Sequence, residues 1–198
     1  MRTIILSISL LAIGVITRAQ ETSAPTLLKN EAAWTVEHFP LPTGFAQDMT
    51  VTGTEEAYFP PGWSDIESPE LWSYVFVWEI NSDALMTESA IERNLETYFD
   101  GLMGIPKDTI IAPKLPTTAV LLKQEAEAAK ISYVGKVRTF DRFRSQQMMT
   151  LHMELIQRPC TTQGKTYVVI RFSPKPHEHA VWNNLRKLTL QEPICKHN

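Results

Sequence analysis

The chain has 198 residues, 43% of them hydrophobic, and 19 Lys and Arg against 22 Asp and Glu give it a formal charge of −3. That balance, with no basic cluster longer than Arg142-Phe143-Arg144, argues against nucleic acid as a partner. The length suits one domain able to bury roughly 70% of the surface its unfolded chain would expose.

Residues 1–19 have the form of a cleavable secretory signal: Arg2 supplies a positive start, residues 4–16 are almost wholly apolar, and Thr17-Arg18-Ala19 ends in small residues. The apolar run, about 13 residues, is shorter than the roughly 20 that cross a bilayer as a helix. No later stretch approaches a membrane span, and no cysteine follows the run to accept a lipid. The mature chain is therefore expected to begin near Gln20 and to be secreted or periplasmic. Loss of Arg2 and Arg18 leaves 17 basic residues against 22 acidic ones, moving the charge from −3 to −5.

An exported chain meets oxidising surroundings, so its two cysteines, Cys160 and Cys195, are expected to pair. By chain entropy, a loop of this length makes such a bridge worth about 3 to 4 kcal/mol. The alternative, a catalytic thiolate, needs a base and positive surroundings, and Pro159-Cys160-Thr161-Thr162 offers neither.

In chain order, residues 20–26 read as a flexible leader and 27–198 as a single domain. Tyr58-Phe59-Pro60-Pro61-Gly62-Trp63 reads as an aromatic loop stiffened by proline. Residues 72–80 predict a central strand, with Trp72, Tyr74, Phe76, Trp78 and Ile80 on one face and Val75 and Val77 on the other. Residues 87–103 predict a helix: Ile91, Leu95, Tyr98, Phe99 and Leu102 recur at helical spacing, Thr87 is placed to cap the start, and Gly101 or Gly104 marks the stop. Three prolines make 104–116 a connector.

Residues 117–130 are ambiguous, since their Ala, Glu and Lys favour helix while their neighbours favour strand. Strands follow at 131–140 and 147–158, joined by a polar turn at 141–145. In the second of them Met149, Leu151, Met153 and Leu155 alternate with Thr150, His152 and Glu154. A last strand at 165–173 leads, through Ser173-Pro174, into a helix to about residue 190, with Val181, Trp182, Leu185 and Leu188 inward.

The chain also echoes itself. Leu27-Leu28-Lys29-Asn30-Glu31-Ala32 is matched by Leu121-Leu122-Lys123-Gln124-Glu125-Ala126, Tyr74-Val75-Phe76-Val77 by Tyr167-Val168-Val169-Ile170, and Glu88 and Asn94 by Glu178 and Asn184. Collinear matches at a near-constant offset suggest half-repeats over 27–103 and 117–190. The expected fold is accordingly α+β, an antiparallel sheet with helices packed on it, its two β-α halves related by a pseudo-twofold. A β-rich barrel or sandwich is the competing architecture.

Catalytic words are missing. His177-Glu178-His179 lacks the second histidine one helical turn on that a zinc-protease motif requires, since Val181 stands there, so no metal is expected. Gly62-Trp63-Ser64-Asp65 lacks the closing glycine of a nucleophile elbow, and no glycine-rich phosphate loop occurs, so no cofactor is expected.

His152 and Glu154 fall on one face of a strand, with Arg138 and Arg142 on the strand before, and could form an acid–base pair if sunk in a cleft. On a wet sheet face the same residues are ordinary cross-strand charge pairs. Exposed aromatic rings on the stiff loop at 58–63 would suit a sugar, peptide or protein; buried, they close the core. The leading expectation is a non-enzymatic binding or interaction module for a small molecule, glycan or protein, with Trp63, Trp72, Arg138 and His152 as candidate ligand contacts at the junction of the halves. The alternatives are an envelope hydrolase using His152 and Glu154, and an assembly subunit with a self-complementary apolar patch.

Overall fold

A computed structural model describes residues 26–32, 34–106, 114–127, 130–192 and 194–195. The signal expected at 1–19, most of the leader and the middle of the connector at 104–116 lie outside the described residues.

The fold is mostly sheet with some helix. Seven strands, β1 (Thr35–Leu41), β2 (Gly53–Phe59), β3 (Tyr74–Ile80), β4 (Thr118–Glu127), β5 (Lys130–Phe140), β6 (Met148–Cys160) and β7 (Lys165–Ser173), form one sheet in the order β1-β2-β3-β7-β6-β5-β4. All neighbours are antiparallel, so two meanders, β1 to β3 and β4 to β7, join along β3 and β7. Helix α1 (Glu88–Met103) carries the chain from the sheet centre to its far edge at β4, and helix α2 (Val181–Lys187) follows β7.

β3 is buried on both faces, as its unbroken run of aromatic and branched residues predicts. Tyr74, Phe76, Trp78 and Ile80 join the larger core with Ile91, Leu95, Tyr98 and Phe99 of α1. Val75 and Val77 join a second core with Val181, Trp182 and Leu185 of α2. The helices therefore lie on opposite faces of the sheet. An axis normal to the sheet would exchange the antiparallel pair β3 and β7 but leave both helices on one face, so α1 and α2 do not follow such a twofold.

The caps of α1 fall where the sequence puts them. Thr87 Oγ1 accepts from the Ala90 amide at 3.2 Å, and Gly104 ends the helix at φ 61°, left-handed backbone that glycine takes without strain. Three carboxylates spaced four residues apart then serve β4. Glu92 accepts from the Leu121 amide at 2.8 Å, Glu96 from Ala119 at 3.1 Å and Asp100 from Thr117 at 2.7 Å. Four residues of helix rise about 6 Å, which matches the roughly 6.6 Å between alternate strand residues, so helix and sheet edge stay in step.

Several expectations need correction. The ambiguous stretch is strand β4, because pairing along β5 outweighs helix propensity. Tyr58 and Phe59 end strand β2 rather than opening a loop, and β1 and β2 went unread: β1 carries a proline and β2 two adjacent glutamates, one for each face. Trp72 precedes β3 instead of belonging to it. The last helix begins only at Val181, because Pro174 and Pro176 hold the preceding chain in turns, and Glu178 therefore lies before the helix.

The two Leu-Leu-Lys words also occupy unlike places. Leu28 makes an isolated bridge to Leu190, whereas Leu121 and Leu122 sit within β4. Asn94 is buried and accepts from the Thr50 amide at 2.8 Å; Asn184 is exposed.

Cys160 and Cys195 form a disulfide with Cα atoms 5.6 Å apart, tying residues 194–195 to the end of β6 beside the second core. A disulfide fits an oxidising compartment. Among the described residues no helix is long and apolar enough to cross a membrane.

Candidate ligand-binding site

The larger core is hollow at one end. A cavity of about 240 Å³ lies where the sheet, the second half of α1 and three connecting loops meet. Phe39, Phe59, Tyr74 and Phe76 reach it from β1, β2 and β3, and Tyr98 and Leu102 from α1. Phe45 comes from the β1–β2 loop, Trp63, Leu71 and Trp72 from the β2–β3 loop, and Phe143 and Arg144 from the β5–β6 turn. Nine of the fourteen lining residues are aromatic, and the exposed Glu37 and Arg144 are the charged ones.

Each loop is held by a local device. In the β2–β3 loop Glu70 accepts from the Gly62 amide at 3.0 Å, and the Trp72 amide donates to the Trp63 carbonyl at 2.9 Å, which fixes both tryptophans at the cavity. Trp72 has φ 54°, a left-handed backbone that bulky residues rarely adopt and that concentrates at functional positions. In the β5–β6 turn the buried Asp141 accepts from the amides of Phe143 and Arg144, both at 3.0 Å, and of Ser145 at 2.7 Å. Burial alone would raise the Asp141 carboxyl; these hydrogen bonds, that of Ser145 foremost, outweigh it and hold the group below its ordinary value. Phe45 is seated against α1 at Gly101, where an added Cβ would come within 2.0 Å of the Phe45 carbonyl oxygen.

Two polar atoms in this wall are unpaired: Trp72 Nε1 and Tyr74 OH are buried without a hydrogen-bond partner among the described residues. A third polar group, Glu55, is fully buried and well served. Its carboxylate accepts from Trp78 Nε1 at 2.7 Å and from Tyr98 OH at 2.9 Å. Burial nevertheless pushes its pKa up to about 7, against the lowering effect of those two donors.

The four candidate contacts divide. Trp63 and Trp72 line the cavity together, with Phe59 packed on Trp63 at 4.6 Å and Phe143 6.2 Å from Trp72. Arg138 and His152 lie on the opposite face of the sheet, Arg138 exposed opposite Thr150 and His152 opposite Lys136. His152 lines a shallow depression there with Val120, Leu122 and His177. Its ring meets His177 edge-on at 5.4 Å, and burial, then the charges of Lys136 and His177, lower its pKa.

Glu154 is not part of that depression. Its carboxylate accepts from Arg186 at 2.6 Å and lies 3.4 Å from His177 Nδ1. Among the described residues no group of three or more His, Cys, Asp or Glu could hold a metal ion.

Sequence reasoning missed Phe39, Phe45, Phe143 and Arg144. Phe143 carried a readable signal, an aromatic residue inside an otherwise polar turn; Phe45 carried none, since its role depends on where α1 passes. Comparison of the chain with models of protein families, with curated proteins and with solved structures found no match.

Proposed function

We propose that the protein is an exported, non-enzymatic binding protein that takes a small apolar molecule into the aromatic cavity beside Trp63 and Trp72. The observation that carries this reading is the cavity itself, lined by nine aromatic side chains that approach it from separate strands, helix and loops. A core built only for stability closes such a space, because each lost contact and each void weakens the fold. The disulfide and the signal-like first 19 residues support export.

The hydrolase reading draws less support. Its acid–base pair needs His152 and Glu154 to converge in a cleft, and Glu154 is engaged by Arg186 outside the depression that His152 lines.

Tetralin, an apolar two-ring hydrocarbon, tests the binding reading. At ten times its dissociation constant it should raise the unfolding free energy by about 1.4 kcal/mol and change tryptophan emission saturably. Leu71→Trp, which fills the cavity from a half-buried position, should abolish both effects while the protein stays folded. No saturable response of the unsubstituted protein to tetralin overturns the reading.

A further inference from the structure

We propose that the cavity selects an uncharged ligand of one or two rings that carries a single hydrogen-bond acceptor, a carbonyl or ether oxygen, received by Tyr74 OH and Trp72 Nε1. This rests on the binding reading above and specifies its ligand class.

Size comes first. An apolar cavity of about 150 Å³ takes up benzene, so one of about 240 Å³ holds one or two rings.

Polarity follows from the unpaired atoms. A buried N–H or O–H without a partner is a rare and costly feature of a folded protein. Here two occur on residues two positions apart, both lining the same cavity, and both are donors toward a neutral acceptor. By contrast, Tyr98 OH and Trp78 Nε1 are paired with Glu55, and Trp182 Nε1 with the Lys175 carbonyl. Tyr74 and Trp72 stand apart in carrying partnerless donors on residues of the cavity wall.

Charge is set by the neighbours. Glu55 lies behind Tyr98 and, once ionised above about pH 7, acts electrostatically on both Tyr74 and Tyr98. Burial first, and then that negative charge, keep the Tyr74 phenol protonated and able to donate. The same carboxylate, with Glu37 in the lining, opposes an anion placed deep in the cavity; Arg144 is exposed at the lining and answers Glu37 in sign.

The test compares 1-tetralone with tetralin, which differ by a carbonyl in place of a methylene, and adds 1-naphthoate as the anionic form. Fluorescence titration of the unsubstituted protein should give about tenfold tighter binding of tetralone than tetralin, and weaker binding of naphthoate than tetralone. Within Tyr74→Phe itself, tetralone should bind within about twofold of tetralin, and the thermal midpoint should not fall, since the hydroxyl has no partner in the free protein. Trp72→Phe supplies the same comparison should Tyr74→Phe fold poorly. Equal binding of tetralone and tetralin overturns the acceptor inference while the binding reading stands. Naphthoate binding more tightly than tetralone overturns the uncharged ligand. Failure of all three probes overturns the underlying reading itself.

Discussion

Glu55 and Glu56 are adjacent in sequence and serve different purposes because a strand turns successive side chains to opposite faces. Glu56 faces the second core, where it accepts from the Leu27 amide at 2.8 Å and from Tyr58 OH, which in turn accepts from the Leu28 amide. Glu55 faces the larger core, and burial raises its pKa from 4.5 to about 7. The sign of the consequence is fixed by linkage. Between these values the native state holds a proton that the unfolded state has released, so native stability falls as pH rises through that window and levels off above it. The shift corresponds to about 3 kcal/mol. Glu55→Gln should remove this component. Urea unfolding of both proteins at pH 4.5 and pH 8 should show the unsubstituted protein losing about 3 kcal/mol more than the variant across the interval. Parallel losses would place the titrating proton elsewhere.

At the scale of elements, α1 does two jobs with two faces. Its apolar stripe closes the larger core, and its carboxylates occupy outward amides of edge strand β4 and of Thr117 just before it. Exposed strand edges recruit other strands, and covering them is a common defence. Glu92→Ala with Glu96→Ala should cost about 1 to 3 kcal/mol for each charged hydrogen bond lost and should promote self-association, seen as larger species in size-exclusion chromatography at high protein concentration. An unchanged profile and stability would mean that water serves those amides equally well.

The apolar stripe, Thr87 cap and Gly104 stop of this helix were legible in the sequence, because period and capping chemistry are local. The carboxylate ladder was not, because it depends on where β4 passes. The same division runs through the rest of the fold. β3, β5, β6 and β7 announce themselves by composition and alternation, whereas β1 and β2 hide behind Pro40, Glu55 and Glu56, residues whose places are fixed by an edge position and by buried partners. At the candidate site Trp63 and Trp72 could be read as aromatic residues of a stiff loop. Their meeting with Phe45, Tyr98 and Phe143 required the tertiary fold.

Over the whole molecule, the sheet separates two cores that do different work. The larger contains the cavity; the second gathers α2, the segment around Leu28 and the disulfide. Arg171, buried on the second-core face of β7 against α2, donates to the carbonyls of Leu185 at 3.0 Å and Leu188 at 2.8 Å, closing the end of that helix. The disulfide spans 35 residues, for which loop-closure entropy gives a stabilisation of about 3 to 4 kcal/mol. Its cross-link lies on the face away from the aromatic wall, so stability and binding should separate. Cys160→Ala with Cys195→Ala should lower the urea midpoint markedly, yet leave the tetralin dissociation constant within about twofold when measured well below the new midpoint. If binding falls in step with stability, the two faces are coupled through β3 and β7, and the cavity depends on the second core for its shape. If binding holds, the second core acts as a brace that keeps the sheet folded while the larger core meets the ligand.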